Sequence, residues 1–346
     1  MQALILAGGK GTRLRPLTMY TPKPIVPVAN RPFLLYQIEI LRRAGITDIT
    51  LSLNYHPDKI EQMLNDGSEY GVHLRCLTEP TPLGTGGAYK FAEDAIRETT
   101  VVLNGDVLTD LDVSAVVEFH RRKQAEATIV LTPVENPAAY GLVETDEENR
   151  ILRFREKPSD EEIAELTTKN INAGIYILEP SVLDLIPAGE NRSFEYNVFP
   201  DLLSNKKSFY AFILEKNYWR DIGTPASYLA AHHDFLSGKI KNFELEKSSE
   251  AEIATAALVD KISIIGRDSV VKPNARVINS VIGEGVHIEE KAVIENSVVW
   301  SHTRISAQTH IENAVIGRSC HIGRNVVIKS GAVLGDKTSL TDYTRI

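Results

Sequence analysis

The sequence predicts an α/β chain in two parts, an open, mostly parallel or mixed sheet with helices, then a coil built from very short strands. Short apolar runs alternate with amphipathic segments from Met1 to about Gly238, which is the rhythm of βαβ units. Near the C-terminus a different rhythm takes over, with Ile316, Ile322, Ile328, Leu334 and Leu340 spaced six apart. Between the two, Lys239–Ala256 follows neither pattern and is rich in Lys, Glu and Ser, the composition of a connecting arm.

Taken in order, Gln2–Leu6 reads as a buried strand, Pro32–Ala44 as a helix and Asp48–Leu53 as a strand. Asp58–Asn65 then reads as a helix, Val72–Thr78 as a strand and Gly87–Ile96 as a helix. Thr99–Leu103 is another buried strand and Val113–Lys123 the helix after it. Beyond residue 125 the alternation loosens into strands at Ala127–Thr132, Gly141–Thr145, Ile151–Arg155 and Ala173–Leu178, read as extensions of the same sheet.

A six-residue period cannot be helical, because successive positions would drift around the axis. It fits a prism in which each hexapeptide supplies one short strand and the aliphatic side chain points inward. Earlier runs at Ile282, Ile288 and Ile294, then Ile305 and Ile311, keep the period, with a slip to five between Ile311 and Ile316. The segment resembles hexapeptide-repeat, left-handed parallel β-helix domains. The expected division is 1–238 for the sheet domain, 239–260 for the linker and 261–346 for the β-helix.

Bulk properties narrow the function classes. The 346 residues are 43% hydrophobic and 24% charged with net charge −8, ordinary for a soluble globular protein and contrary to the basic face that nucleic acid or a membrane surface selects. Cys76 and Cys320 form no metal-ligand spacing and read as reduced thiols. Ala3–Ala7 is too short for a secretory signal, and no stretch approaches the roughly 20 apolar residues of a membrane span. A cytoplasmic protein is expected.

The first chemical motif is Leu6-Ala7-Gly8-Gly9-Lys10-Gly11-Thr12-Arg13-Leu14-Arg15-Pro16. It begins where the first strand ends, the place where open α/β sheets bind ligands. Its glycines allow backbone N–H groups close to a triphosphate, and Arg13 offers charge. A dinucleotide fingerprint would need Gly or Ala where Leu14 stands, and a Walker A loop is absent. Pro22-Lys23-Pro24 follows, a lysine in a stiffened backbone. Asn104-Gly105-Asp106 puts a carboxylate at a strand's C-terminal end, well placed for Mg²⁺. In Glu79-Pro80-Thr81-Pro82-Leu83-Gly84-Thr85-Gly86-Gly87-Ala88, a carboxylate matches the two-donor edge of guanine, whereas uracil or thymine suits an amide better.

The pattern Gly-Gly-Lys-Gly-Thr-Arg-Leu-Arg-Pro-Leu-Thr…Pro-Lys-Pro resembles the signature of the NDP-sugar pyrophosphorylases, the sugar-1-phosphate nucleotidyltransferases, over essentially residues 1–237. That resemblance implies a Rossmann-like sheet domain and transfer of a nucleoside monophosphate from an NTP to a sugar 1-phosphate, releasing pyrophosphate. It implies that Leu6, Ala7, Gly8, Gly9, Gly11 and Thr12 hold the nucleotide, with Glu79, Gly84 and Thr85 reading the base. Arg13 would face the departing pyrophosphate and Lys23 the phosphates at the reacting centre. The partner of Asp106 on Mg²⁺ would be Asp221 of Trp219-Arg220-Asp221-Ile222-Gly223. On the acceptor side, Lys157 would contact the sugar phosphate, and Glu156, Asn172, Gly141 and Gly174 would surround the sugar.

Within the family the resemblance, including Ser193–Pro200, is greatest to guanylyltransferases acting on mannose 1-phosphate, so GTP and mannose 1-phosphate are the expected substrates. The alternatives are a glucose-1-phosphate uridylyl- or thymidylyltransferase, and a catalytically silent regulatory subunit of the same fold. His287, His302, His310 and His321 would be the candidate general bases if the β-helix were an acyltransferase. The preferred reading is an architectural β-helix through which the chain forms a homo-oligomer, because exposed coil ends and flat faces invite self-association.

Overall fold

The computed structural model describes residues 1–159, 161, 168–244 and 250–346. Residues 245–249 of the expected linker lie outside the described residues. The chain folds into two compact units, and neither is one continuous stretch. The first comprises Met1–Gly9 and Tyr36–Trp219, the second Lys10–Leu35 and Arg220–Ile346.

In the first unit the described residues form a nine-stranded mixed sheet. Gln2–Leu6 lies at its centre, parallel to Asp48–Leu53 on one side and Thr100–Asn104 on the other. Its residues 3–5 are almost completely inaccessible, so a continuous apolar run, rather than an alternating one, is what this position demands. Asn170–Leu178 runs antiparallel to Thr100–Asn104 and to Ala127–Pro133, with a register shift between Asn172 and Tyr176. Gly174 sits in that bulge at φ +72°, where an added Cβ would lie 2.8 Å from Asn104 Nδ2. Both the backbone angle and the close approach call for glycine.

The helices follow from local signals. Val113–Lys123 begins at Asp112, whose side chain accepts from the Ser114 amide at 2.9 Å, and ends on His120, Arg121, Arg122 and Lys123. Those are an N-cap and a cationic last turn. The helix expected over Gly87–Ile96 instead spans Gly84–Phe91, followed by a 3₁₀ turn at Glu93–Ala95. Its early start rests on its glycines. A Cβ on Gly87 would meet the Glu190 carbonyl oxygen at 2.5 Å, and the Gly87 amide donates to Arg192 O at 3.0 Å. The strand Phe209–Ile213 and the helix Pro225–Leu236 had no counterpart in the sequence reading. Among the described residues no helix is long and apolar enough to cross a membrane.

The second unit contains a left-handed β-helix of three parallel sheets with six, five and five strands among the described residues. Ile282, Ile288, Ile294, Ile305, Ile311, Ile316, Ile322 and Ile328 all point into its core, each fully buried. Its first strands, Glu252–Ile253 and Leu258–Val259, pair with Val270–Val271 and with Arg276 and Val277, inside the stretch expected to be linker. The slip to five is itself periodic, recurring at Val277–Ile282, Ile294–Val299 and Ile311–Ile316, so that the central coils pair at a spacing of 17, as in Val281↔Val298 and Val298↔Val315, and those at the two ends at 18.

That short corner is turned by Asn279, Asn296 and Asn313 at φ 45°, 49° and 48°, residues that tolerate the left-handed region. Asn279 Nδ2 donates to Asn296 Oδ1 at 2.7 Å and Asn313 Nδ2 to Ser330 Oγ at 2.7 Å. Beside them, Ser280 Oγ accepts from the Ser297 amide at 3.0 Å, satisfying a buried backbone group that the shortened corner would otherwise orphan. Asn313→Ala should therefore destabilise the chain by about 1–2 kcal/mol from backbone strain plus about 1 kcal/mol from the lost hydrogen bond. Asn313→Gly should recover the strain part. Chemical denaturation followed by circular dichroism checks this, and equal losses for the two variants would contradict it.

Candidate active site

In the first unit the end of Gln2–Leu6 lies against the end of Thr100–Asn104. The Gly105 amide donates to Leu6 O at 2.9 Å, and a Cβ on Gly105 would lie 2.6 Å from that oxygen. Glycine there is what brings Asn104-Gly105-Asp106 beside Leu6 and Ala7. The Ala7 amide donates to Ser52 O at 2.8 Å, fixing the chain as it leaves the sheet into Gly8 and Gly9.

Gly8 approaches the start of the 79–88 loop closely, with a Cβ there falling 3.2 Å from Glu79 Oε1. Glu79 is only 7% exposed. Its carboxylate accepts from Ser52 Oγ at 2.7 Å and from the Leu83 amide at 3.0 Å. Both oxygens of the carboxylate expected to read the base thus also shape the loop. Gly84 follows at φ +72°, where a Cβ would lie 2.5 Å from Arg192 O. Thr85 Oγ1 accepts from the Phe194 amide at 2.8 Å and donates to Glu195 Oε2 at 3.1 Å.

The acceptor-side residues are also brought together. Glu156 lies over Gly141, where a Cβ would be 2.7 Å from Glu156 Oε2. Asn172 Oδ1 accepts from the Gly174 amide at 2.9 Å, and Asn172 Nδ2 donates to the Tyr176 hydroxyl at 3.0 Å. That hydroxyl donates in turn to Glu195 Oε1 at 3.3 Å. Burial first, and the charge of Glu195 second, hold the Glu156 carboxyl above the usual range. Lys157 is exposed, at φ 48°.

Glu195 and Tyr176 were missed by the sequence reading as site residues. Glu195 lies in a π-helical turn, Phe194–Val198, capped by Ser193; such turns are frequent at functional sites but have no sequence signature. Tyr176 is fully buried, and nothing in its sequence context distinguishes it from a core aromatic.

The second unit carries Gly11, Thr12, Arg13, Lys23 and Asp221. Gly11 takes φ +60°, with space for a Cβ closed by Lys23 Cβ at 3.0 Å. Thr18 Oγ1 donates to Gly11 O at 2.7 Å. The 3₁₀ turn Thr12–Leu14 buries Leu14 and leaves the Arg13 side chain 66% exposed. Arg13 Nη2 stands 3.9 Å from Asp221 Oδ2, too loose to neutralise the guanidinium fully. Gly223 makes room for both, since a Cβ there would lie 2.8 Å from each. Lys23 is only 8% exposed, between Pro22 and Pro24.

The donor chemistry fits a hard cation. Mg²⁺ takes oxygen ligands and is commonly held by one or two carboxylates plus substrate phosphates. Near Asp106, the buried Asn104 Oδ1 has no hydrogen-bond partner among the described residues, an oxygen left over for such a ligand sphere. Among the described residues no group of three or more His, Cys, Asp or Glu side chains is arranged to hold a metal ion.

Residues 2–238 match the family described as Nucleotidyl transferase, and residues 244–346 match the EIF2B subunit epsilon LbH domain. The chain is 37% identical over 297 residues to the mannose-1-phosphate guanylyltransferase of Mycobacterium tuberculosis, covering 84% of this chain and 81% of that protein. It is 41% identical over 266 residues to the mannose-1-phosphate guanyltransferase of Saccharomyces cerevisiae, covering 75% and 72%. A putative glucose-1-phosphate thymidylyltransferase from Bacillus anthracis, solved with sucrose, superposes with a TM-score of 0.62 at 25% identity, covering 70% of this chain and 97% of that one. Nucleotidyltransferases of this family generally use Mg²⁺. Sheet topology, glycine-lined strand ends and these likenesses agree: the chain belongs to the nucleotidyl transferase family.

Proposed function

We propose that the chain joins GTP and mannose 1-phosphate to give GDP-mannose and pyrophosphate. The observation that carries this is the acceptor-side cradle of Glu156, Asn172, Tyr176 and Glu195 in a chain whose relatives are mannose-1-phosphate guanylyltransferases. Two carboxylates and an amide suit a ligand rich in hydroxyl donors. Residues 1–238 act as the nucleotidyltransferase domain and 261–346 as a module through which copies of the chain assemble.

In this reading Leu6, Ala7, Gly8, Gly9, Gly11 and Thr12 hold the triphosphate through backbone N–H groups. Gly84 and Thr85 form the wall for the base, with Glu79 keeping that wall in shape and offering its remaining lone pairs to guanine. Arg13 stabilises charge on the leaving pyrophosphate, and Lys23 and Lys157 offset repulsion as the sugar phosphate approaches. Glu156, Asn172, Gly141 and Gly174 orient the sugar so that its phosphate oxygen attacks the α-phosphorus in line, since nucleotidyl transfer depends on positioning and charge neutralisation more than on covalent catalysis. Asp106 and Asp221 would hold Mg²⁺, which would supply Lewis-acid polarisation of the α-phosphate.

Glucose-1-phosphate uridylyl or thymidylyl transfer is the second reading, favoured by the likeness to the thymidylyltransferase structure. Pyrophosphate release from a matrix of NTPs and sugar 1-phosphates with Mg²⁺ separates the two. GTP with mannose 1-phosphate should give the highest kcat/KM; preference for UTP or dTTP with glucose 1-phosphate would select the second. No release by folded protein with any pair would point to a silent regulatory subunit.

The raised pKa of Glu156 has a consequence for pH dependence. Glu156 accepts from sugar hydroxyls through both oxygens, and most strongly, when ionised, so kcat/KM for the sugar phosphate should fall on acidification at a pH above the usual carboxylate range. In Glu195→Gln the like charge is gone, so the acid limb should move to lower pH. A pH–rate profile unchanged by that substitution would contradict the shared-pocket account.

A further inference from the structure

The second unit holds the loop of Arg13 and Lys23 and the β-helix together, and the two are tied by a short relay of hydrogen bonds. The Trp300 Nε1–H, on the β-helix, donates to the Tyr228 hydroxyl at 2.9 Å. That hydroxyl donates to the Pro27 carbonyl, four residues beyond Lys23. Tyr228 and Trp300 are both buried; their rings meet edge to face with centroids 6.3 Å apart, and the Arg318 guanidinium lies over the indole at 5.6 Å. The hydroxyl thus has both roles filled, as a buried phenol requires.

A second tie flanks the first. Ala29 and Asn30, at φ 47° and 66°, turn the chain between Pro27–Val28 and Arg31–Pro32. Asn30 Nδ2 donates to Ile282 O on a β-helix strand at 2.8 Å. From Pro27 back to the functional side chains the packing is continuous. Pro24, Ile25 and Val26 are buried, Lys23 closes against Gly11, and Gly11 is braced by Thr18. Helix Pro225–Leu236, which presents Tyr228, begins just after Asp221 and Gly223, and Ser227 Oγ donates to the Asp221 carbonyl.

We infer that the β-helix is a working part of the catalytic apparatus, with Tyr228 a positioning residue that sets Lys23 and Arg13 through the Trp300–Tyr228–Pro27 relay. This rests on the catalytic roles proposed above for Arg13 and Lys23. It also means that a change in the β-helix that displaces Trp300, including one brought about by association of copies through it, alters turnover.

The test uses full-length Tyr228→Phe and Trp300→Phe, with Ile328→Val, a buried core change on a different sheet of the β-helix from the strand beside Trp300, as a control for lost stability. Misplacing a catalytic group by a fraction of an ångström to 1 Å costs roughly 10–100-fold. Tyr228→Phe should lower kcat by about tenfold or more, with KM for the sugar 1-phosphate within about twofold, because the cradle of Glu156 and Asn172 is untouched. Trp300→Phe should show a smaller fall of the same kind, and Ile328→Val no fall at matched melting temperature.

A second readout does not depend on turnover. Lys10–Gly11 and Arg13–Leu14 are tryptic sites in the loop, whereas proline follows Arg15 and Lys23. Cleavage at the first two should accelerate in Tyr228→Phe and not in Ile328→Val. A Tyr228→Phe enzyme with kcat within twofold of wild type, or a control that loses as much, would overturn the inference. If the wild type turned over no substrate pair, the proposed function would fail, and unchanged loop cleavage in Tyr228→Phe would then overturn the positioning role separately.

Discussion

The Tyr228 hydroxyl, which accepts a hydrogen bond from the Trp300 indole N–H and donates one to the Pro27 carbonyl, sets the character of this fold. Lys10–Leu35 leaves the chain's first strand and is folded by the core of the unit that contains the β-helix, not by the core of the sheet. A loop of this kind, with prolines at 16, 22, 24, 27 and 32 and a left-handed glycine at 11, has only short 3₁₀ turns and one two-residue strand pair of its own to hold it. Buried hydrogen bonds and packing must do so. Loop precision is therefore inseparable from the integrity of the coil that carries Trp300.

The sheet contributes precision of a different sort. Its strand ends are packed so closely at Leu6, Gly105 and Gly174 that no side chain fits between them. Polar groups at those ends, Asn104, Asp106, Asn172 and Glu156, are consequently presented by rigid backbone. The Tyr176–Glu195–Thr85 chain of hydrogen bonds then links the acceptor side to the 79–88 loop. Charge in this region is unbalanced, because two carboxylates share one pocket, and the charge of Glu195 adds to burial in raising the affinity of Glu156 for a proton.

Much of this was legible in the sequence. The central strands and the helix Val113–Lys123 follow from apolar periodicity and capping, and the β-helix from its aliphatic period. Glycine-rich strand ends and Pro22-Lys23-Pro24 marked the site because their residue types are costly elsewhere. What could not be read depends on long-range contacts. The five-residue corner looked like an irregularity until the asparagine stack gave it a reason. Helix Pro225–Leu236 is apolar on nearly every side because it is buried, so it has little amphipathic signal. Glu79 carried the right chemistry for a base edge, yet Ser52 and the Leu83 amide, 27 and 4 residues away, claim its oxygens. The allegiance of Lys10–Leu35 to the β-helix rests on Tyr228 and Trp300, some 200 and more residues distant in sequence.

Native-state hydrogen exchange tests that allegiance most directly, because amides that open together belong to one cooperative unit. The amides of Ile25, Val26 and Phe33, which donate to Pro22, Lys23 and Val26 carbonyls, report on the loop. Those of Gly283 and Trp300 report on the β-helix, and those of Leu4 and Val102 on the sheet. With increasing urea, the loop amides should merge onto the opening free energy of Gly283 and Trp300. Merging instead with Leu4 and Val102 would contradict the account, since the loop would then be folded by the sheet and the β-helix would have no hold on it.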